Sequence, residues 1–325
     1  MGIRVKSLSA YVPGNIVRNQ DFERFLDTSD EWITERTGIK ERRIASPDEA
    51  ASDLGAKAAV RALEKAGLDP KEVDLLIAAT SSPDHLFPST ACLIQDKIGA
   101  TKAAPFDVSA GCPGFVFGLE IARGMLMSGN YKKALVVGTE CLTRIMDFTD
   151  RSTCVLFGDG AGAAILEDDP MREGILSAYL GGDGSLGNLL MLPAGGSRLP
   201  ASEETLRNRL HYTKMEGQEV FRNAVRAMRD AALVTLKRAG VKPEELDWLV
   251  PHQANTRIIE ATRERLKLPP EKVYVNIERF GNTSAASIPI ALWEMEEKGL
   301  LKEGHLVLAV AFGAGFVWGG MLLRW

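Results

Sequence analysis

The sequence is poor in cysteine and histidine for its length, which bears on its cellular location and on its chemistry. Its 325 residues include four cysteines and four histidines. The cysteines form no CxxC pair and no zinc-ligand spacing, and no HExxH motif occurs, so neither a disulfide scaffold nor a metal site is predicted. We therefore expect a reduced, cytoplasmic protein without a bound metal.

Strong charge, a leader sequence and a clear membrane span are also missing. The formal net charge of −4 and the pI of about 5.8 give no reason to expect binding to nucleic acid or to an acidic membrane surface. The first seven residues are too polar for a signal peptide. Residues 306–323 carry no charge and reach the length of a membrane span, but their glycines favour two buried strands around a turn.

The most informative segment is the run Phe-Asp-Val-Ser-Ala-Gly-Cys-Pro-Gly-Phe at residues 106–115. An apolar stretch ends there, a turn of small residues follows, and a helix pattern begins at Gly114 and continues to about Ser128. Cys112 therefore lies near a helix start, where free amides and the helix dipole are expected to lower the pKa of its thiol. The glycines and proline around it favour a reactive nucleophile over a small buried core residue.

The two halves of the chain resemble each other at an offset of 173 residues. Residues 66–77 match residues 239–250, and residues 133–139 match residues 306–312. In each half a helix ends at a glycine, a proline-containing turn follows, and an apolar strand begins. This pattern predicts two copies of one α/β unit with mostly parallel sheets and helices on their faces.

We place the boundary between the copies near the charged residues 167–170, which gives halves of residues 1–170 and 171–325. Pseudo-twofold symmetry would bring the Cys112 turn close to the turn that contains Asn282. A third strand-to-helix loop carries His252, although a single histidine after a strand is more often structural. A cysteine, a histidine and an asparagine on three such loops are a candidate nucleophile, base and orienting group.

Four motifs in this order resemble those of β-ketoacyl-acyl-carrier-protein synthase III, the initiating condensing enzyme of type II fatty acid synthesis. They are Asp-Val-Ser-Ala-Gly-Cys at 107–112, Pro-His-Gln-Ala-Asn at 251–255, Phe-Gly-Asn-Thr-Ser-Ala-Ala-Ser at 280–287, and Thr-Ser-Asp-Glu-Trp-Ile-Thr-Glu-Arg-Thr-Gly at 28–38. The match covers essentially the whole chain. It implies a thiolase-like α/β fold, in which two pseudo-symmetric halves form a five-layered αβαβα sandwich.

The resemblance also implies a mechanism. Cys112, His252 and Asn282 would form the catalytic triad, with the nucleophile in the first half and the other two in the second. Asn282 favours synthase III, because elongating synthases carry a second histidine there. Cys112 would take the acyl group of a short acyl-CoA, and malonyl-acyl-carrier protein would then condense with it and lose CO2. Backbone amides of Cys112 and Ala314 would form the oxyanion hole, although a glycine is expected where Ala314 stands.

Binding residues follow from the same resemblance. CoA and its pantetheine arm would contact Thr28, Trp32, Arg36, Arg151, Gly217, Phe221 and Asn255, and the acyl pocket would include Phe87 and Phe312. The spacing of Arg222, Arg226 and Arg229 predicts that they share one face of a helix. Together with Arg257 they would dock the acidic carrier protein, and the alternative is a basic face that is merely solvated. Phe87 resembles a residue that a partner subunit inserts into the acyl pocket, which implies a homodimer. No cofactor is expected beyond the acyl-CoA substrate.

Several alternatives remain at this point. Residues 158–162 look like a phosphate loop but lack its Gly-Lys-Ser/Thr ending, so close backbone packing is favoured. Residues 110–114 vaguely resemble the nucleophile elbow of an α/β-hydrolase, a fold that is not an internal duplication. A silent acyl-binding relative and a condensing enzyme of a secondary pathway also stay open. The primer is undetermined, because acetyl, propionyl and branched starters differ by methylenes that discriminate by only about 1–3 kcal/mol.

Overall fold

The apolar runs of the sequence form the central strands of two β-sheets, and the computed structural model describes residues 2–325. The strands are β1 Ile3–Tyr11, β2 Asn15–Arg18, β3 Glu41–Ile44, β4 Leu75–Ala79, β5 Ala104–Val108, β6 Lys133–Glu140, β7 Gly160–Asp168, β8 Ile175–Gly182, β9 Leu190–Met191, β10 Lys214–Met215, β11 Trp248–Pro251, β12 Leu306–Gly313 and β13 Val317–Arg324. The helices are α1 Asn19–Phe22, α2 Asp30–Thr37, α3 Ala51–Ala66, α4 Thr90–Ile98, α5 Gly114–Met127, α6 Glu203–Arg207, α7 Gly217–Ala239, α8 Thr256–Arg265, α9 Ile277–Phe280 and α10 Ser287–Glu297.

Both main sheets are mixed, so the expectation of mostly parallel sheets is wrong. The first sheet has the strand order β1-β7-β6-β4-β5 and the second has the order β11-β12-β13-β8. Strand β4 is parallel to β5 and β6, and β11 is parallel to β12, whereas β7 and β13 are antiparallel to both of their neighbours. For β12 and β13 the physical reason is the short connection, because three residues join them and a parallel pair needs a crossover of a dozen or more.

The layers confirm the predicted αβαβα sandwich. Helices α3 and α4 cover the outer face of the first sheet, and α7 covers the outer face of the second, with α8 packed beside it. Helix α5 lies between the sheets, since it contacts β4, β6 and β7 on one side and β12 and β13 on the other. The core between the sheets joins apolar residues of both, among them Ile77 and Val136 from the first and Val250 and Ala309 from the second.

The 173-residue repeat is visible in the element boundaries. Strands β4 and β11 begin 173 residues apart, as do β6 and β12, and so do helices α5 and α10. Helices α3 and α7 end 173 residues apart. The strands of the first sheet end by Asp168 and those of the second begin at Ile175. The division into domains near residue 170 stays a prediction.

Two glycine-rich segments have structural explanations. Residues 306–323 form β12 and most of β13, as predicted, and no helix within residues 2–325 is long and apolar enough to cross a membrane. Residues 158–162 lead into β7 rather than into a helix. A Cβ atom on Gly162 would lie 2.5 Å from Pro289 Cβ, and one on Gly158 would lie 2.4 Å from the Phe280 carbonyl oxygen. The prediction of close backbone packing is therefore confirmed.

Candidate active site

Cys112 lies in the turn between β5 and α5. Gly111 has a φ of +54°, a left-handed conformation that glycine adopts without steric cost. The N–H of Gly114 donates to the Gly111 carbonyl at 2.9 Å, and α5 begins at Gly114 as predicted. The Cys112 side chain is half-buried and lines two cavities.

His252 is fully buried at the end of β11. Its backbone N–H donates to the Val310 carbonyl at 2.8 Å, which fixes the loop to β12. Its Nδ1 lies 2.7 Å from Ser287 Oγ, and its Nε2 has no hydrogen-bond partner in the described part of the chain. Burial lowers the pKa of His252 to about 3, so the ring is neutral at physiological pH. Nε2 is therefore the ring atom left for a ligand.

Ser287, which sequence reasoning did not assign to the site, is the hydrogen-bond partner of the His252 ring. It begins α10 and occupies the repeat position that corresponds to Gly114, the first residue of α5. A hydroxyl can donate or accept, so Ser287 can support either tautomer of His252. The internal repeat is the signal that would have singled it out.

The amide of Asn282 is held in one orientation by its own turn. Its Oδ1 accepts the Ser284 N–H at 2.9 Å, which leaves the Nδ2 donor for a ligand. Its backbone N–H donates to the Leu156 carbonyl at 2.8 Å, and its carbonyl accepts from Gly158 at 3.0 Å. Ser284 has a φ of +47°, an uncommon conformation for a residue other than glycine and one that clusters at functional sites.

The structure brings the three predicted catalytic side chains to one cavity of about 110 Å³. Cys112, His252 and Asn282 line it together with Phe312. Gly217, Phe221 and Asn255, which were predicted to contact pantetheine, line the same cavity. The predicted nucleophile, its two polar partners and three of the residues predicted to bind substrate therefore line a single cavity.

A wider cavity of about 390 Å³ also touches Cys112 and shares Phe157 and Leu190 with the narrow one. Its wall is largely apolar and includes Leu142, Ile145, Met146, Phe157, Leu190, Met191 and Leu192. Sequence reasoning missed these residues, because nothing in their pattern separates them from ordinary core residues. Two residues were predicted for the acyl pocket, and neither lines this wide cavity. Phe312 lines the narrow cavity, whereas Phe87 lines neither cavity and is 86% exposed.

The largest cavity described, of about 500 Å³, lies elsewhere and contains none of the predicted site residues. Its cationic side chains are paired within the protein, for example Arg4 and Lys6, which each contact Glu167 at 2.8 Å. Among residues 2–325, no group of three or more histidine, cysteine, aspartate or glutamate side chains is arranged to hold a metal ion.

The Cys112 thiol is not acidic. Burial raises the pKa of this thiol to about 12, and the charge of Glu140 adds to the rise. Glu140 is itself fully buried, which raises its pKa, and it accepts hydrogen bonds from Ser82 Oγ at 2.6 Å and from the Ser81 N–H at 3.0 Å. The expectation of a lowered thiol pKa is therefore wrong, because losing water around the sulfur outweighs the favourable helix start.

The backbone of the Cys112 turn touches the turn that follows β12. A Cβ atom on Gly313 would lie 2.5 Å from the Cys112 nitrogen, and one on Gly111 would lie 3.0 Å from the Ala314 nitrogen. Neither the Cys112 nor the Ala314 N–H donates to a backbone carbonyl of residues 2–325. An oxyanion hole requires two free amides directed at the same oxygen, and that role for Cys112 and Ala314 stays a prediction.

The residues predicted to bind the CoA nucleotide gather around α2. The guanidinium carbons of Arg36 and Arg151 lie 4.7 and 5.1 Å from the centre of the Trp32 ring. The buried Thr28 hydroxyl has no hydrogen-bond partner within the described chain. Asn255 Nδ2 donates to the Arg36 carbonyl at 2.9 Å, which ties α2 to the loop that carries His252.

The four arginines predicted to dock the carrier protein lie on two adjacent helices. Three are on α7 and one is on α8: Arg222, Arg226, Arg229 and Arg257. Arg222 pairs with Glu219 at 2.7 Å and Arg229 with Asp230 at 2.5 Å. Half of the set is thus neutralised locally, which weakens the basic face, and the docking role stays a prediction.

Comparison with known families gives two matches. Residues 106–184 match the model described as 3-oxoacyl-[acyl-carrier-protein (ACP)] synthase III, and residues 236–325 match the model of its C-terminal part. Together they cover the turns that carry Cys112, His252 and Asn282.

Curated relatives and solved structures agree with these matches. The β-ketoacyl-[acyl-carrier-protein] synthase III of Caldanaerobacter subterraneus is 55% identical over 97% of this chain and 96% of its own. That of Syntrophomonas wolfei is 52% identical over 100% of this chain and 98% of its own. The crystal structure of 3-oxoacyl-[acyl-carrier-protein] synthase III from Aquifex aeolicus superposes with a TM-score of 0.92, at 47% identity and with both chains fully covered.

The raised thiol pKa leads to a testable prediction about alkylation. Thiolate is the reactive form, so iodoacetamide should alkylate Cys112 slowly at neutral pH, and the rate should keep rising up to at least about pH 10. The measurement is mass spectrometry of the Cys112 peptide, with Cys112→Ser as the blank and glutathione as an unburied reference. A plateau below about pH 8 would contradict the buried, protonated thiol.

Proposed function

The chain belongs to the β-ketoacyl-acyl-carrier-protein synthase III family of initiating condensing enzymes, and we propose that it works through an acyl group held on Cys112. The supporting observation is that Cys112 lines both the narrow cavity that holds His252 and Asn282 and the wider cavity. One offers polar donors to a reacting thioester, and the other offers apolar walls to an acyl chain. Membership of this family removes the support for a cysteine α/β-hydrolase.

In the first half-reaction, the Cys112 sulfur attacks the thioester carbonyl of a short acyl-CoA. A carbon–sulfur bond forms to Cys112, the bond to the CoA sulfur breaks, and the thiol proton ends on CoA. The amides of Cys112 and Ala314 stabilise the oxyanion, and each such donor is worth about 3 kcal/mol in other enzymes. The unpartnered Nε2 of His252 can accept the proton in passing while its Nδ1–H donates to Ser287.

In the second half-reaction, malonyl-acyl-carrier protein loses CO2 and leaves an enolate at its thioester oxygen. In this step His252 Nδ1 accepts from the Ser287 hydroxyl, so the ring is in its other neutral tautomer, and its Nε2–H and the Asn282 Nδ2–H are donors suited to that oxygen. The carbanion then attacks the acyl carbonyl, the bond to the Cys112 sulfur breaks, and the sulfur takes up a proton from solvent. Two half-reactions on one nucleophile give ping-pong kinetics, with CO2, CoA and a 3-ketoacyl-carrier protein as products.

Binding of the first substrate depends on contacts far from the sulfur. We assign the adenine to the Trp32 ring with Arg36 and Arg151, because guanidinium groups beside an indole favour a planar aromatic ligand. The pantetheine arm would pass Gly217 and Phe221 towards Cys112. The carrier protein would dock near the mouth of the same route, at the arginines of α7 and α8.

The wide apolar cavity is the proposed site for the acyl chain. Burial of a methylene is worth about 0.8 kcal/mol, so this cavity favours primers longer than acetyl unless something fills it. In a homodimer, the loop that carries Leu86 and Phe87 would insert into the partner's cavity and fill part of it. These two side chains are 81% and 86% exposed in the single chain. Strand β5 is an edge of its sheet with an unpaired side, a second surface that a partner subunit would cover.

The role of Asn282 in decarboxylation gives a prediction. Asn282→Ala removes one donor to the enolate, so release of CO2 from malonyl-carrier protein should fall by about 100-fold or more. Transfer of radiolabelled acetyl from acetyl-CoA to Cys112 should remain nearly normal. Decarboxylation at the normal rate would exclude Asn282 from the mechanism, and label on Cys92, Cys141 or Cys154 would exclude Cys112 as the nucleophile.

The dimer proposal predicts a change in primer range. Phe87→Ala should widen the set of accepted acyl-CoA primers, because the partner's pocket gains volume, and Phe87→Trp should narrow it. Phe25, another exposed phenylalanine, provides a matched control, since Phe25→Ala should leave the primer profile unchanged. A fully active monomer in sedimentation, or an unchanged profile for Phe87→Ala, would refute the proposal.

A further inference from the structure

Arg42 is a fully buried cation in β3 that the proposed mechanism does not use. No carboxylate of residues 2–325 lies within ion-pair distance of its guanidinium. Instead, Nη1 donates to Asn19 Oδ1 at 2.9 Å and Nη2 donates to the Val155 carbonyl at 2.6 Å, while the guanidinium lies 4.6 Å from the centre of the Phe22 ring. Burial lowers the pKa of Arg42 to about 10, which still leaves it charged at neutral pH.

Through Asn19, Arg42 is connected to both ends of α2. Asn19 is itself fully buried, and its Nδ2 donates to Asp30 Oδ1 at 2.8 Å and to the Ile39 carbonyl at 2.7 Å. Asp30 is the first residue of α2, and Ile39 follows its end. Arg42 fixes the orientation of the Asn19 amide by occupying its oxygen. Both ends of the helix that carries Trp32 and Arg36 therefore contact a side chain that Arg42 orients.

The hydrogen bond from Arg42 to the Val155 carbonyl connects Arg42 to the segment that carries Arg151. Val155, whose carbonyl accepts from Arg42, lies four residues after Arg151. Arg36 and Arg151 flank Trp32 from different parts of the chain. The segments that carry them are therefore both connected by hydrogen bonds to Arg42, one of them through Asn19. A planar guanidinium can donate in several fixed directions at once, which lysine and an apolar side chain cannot do.

Burial of an unpaired cation is unfavourable, and an apolar residue would fill the same volume at lower cost. The directed contacts give a reason for keeping the charge. We propose that Arg42 is a positioning residue that sets the spacing between α2 and the Arg151 segment, and thereby the grip on the CoA nucleotide. This inference rests on the proposed role of Trp32, Arg36 and Arg151.

The test compares two thioester substrates with the same acyl group. Acyl-CoA carries the nucleotide and acyl-pantetheine lacks it, so only the first depends on the grip around Trp32. For Arg42→Lys we expect the KM for acyl-CoA to rise about tenfold or more, with the KM and kcat for acyl-pantetheine nearly unchanged. A purely structural role would impair both substrates equally, and that result would overturn the proposal.

A second variant keeps the test decisive if Arg42→Lys fails to fold. Asn19→Ala removes the hydrogen bonds to the ends of α2 but leaves the contact between Arg42 and Val155. We again expect the KM for acyl-CoA to rise while the KM for acyl-pantetheine stays nearly unchanged. Arg43→Lys is a matched control, because Arg43 contacts Glu41 at 3.3 Å and makes no hydrogen bond to α2 or to the Arg151 segment within the described chain. It should change neither KM, and a split of the same size in this variant would overturn the specific role of Arg42.

Trp32→Ala tests the proposed nucleotide site separately from the positioning role of Arg42. If this variant fails to distinguish acyl-CoA from acyl-pantetheine, the proposed nucleotide site is wrong and the role of Arg42 falls with it. If Trp32→Ala shows the split while Arg42→Lys and Asn19→Ala do not, the nucleotide site stands and the positioning role of Arg42 is refuted.

Discussion

The contact between the start of α5 and the turn before α10 is the constraint on which the site depends. A Cβ atom on Gly114 would lie 3.5 Å from the Ala285 Cβ, and one on Gly138 would lie 2.4 Å from the Ala285 carbonyl oxygen. The two halves therefore meet backbone against backbone, where small residues allow it. Since Cys112 precedes one helix and Asn282 precedes the other, this contact brings the predicted nucleophile and its partner into one cavity.

Burial at that junction also determines the charge state of the site. The thiol of Cys112 and the ring of His252 are both neutral, because burial raises the pKa of the first to about 12 and lowers that of the second to about 3. An ion pair between them is therefore not the resting state. The site offers instead a set of neutral donors, which stabilise charge only as it develops on a substrate oxygen.

The sequence predicted what local chemistry encodes and missed what packing decides. The start of α5 and the repeat followed from turn residues and helix ends, and the five layers followed from the family resemblance. The wall of the wide cavity was missed, because Leu142 and Met146 look like any core residue. The antiparallel pairing of β13 and the raised thiol pKa also escaped prediction, since both depend on neighbours distant in the chain. Arg42 gave no signal, because a charged residue is ordinarily expected at the surface.

A single-turnover experiment tests the central claim most directly, that acyl transfer and condensation share Cys112. The enzyme is acylated with radiolabelled acetyl-CoA, freed of CoA, and mixed with malonyl-carrier protein. The account predicts that the label leaves Cys112 and appears in 3-ketoacyl-carrier protein, with one CO2 released for each label transferred. Release of the label as free acetate, at a rate that does not depend on malonyl-carrier protein, would contradict it.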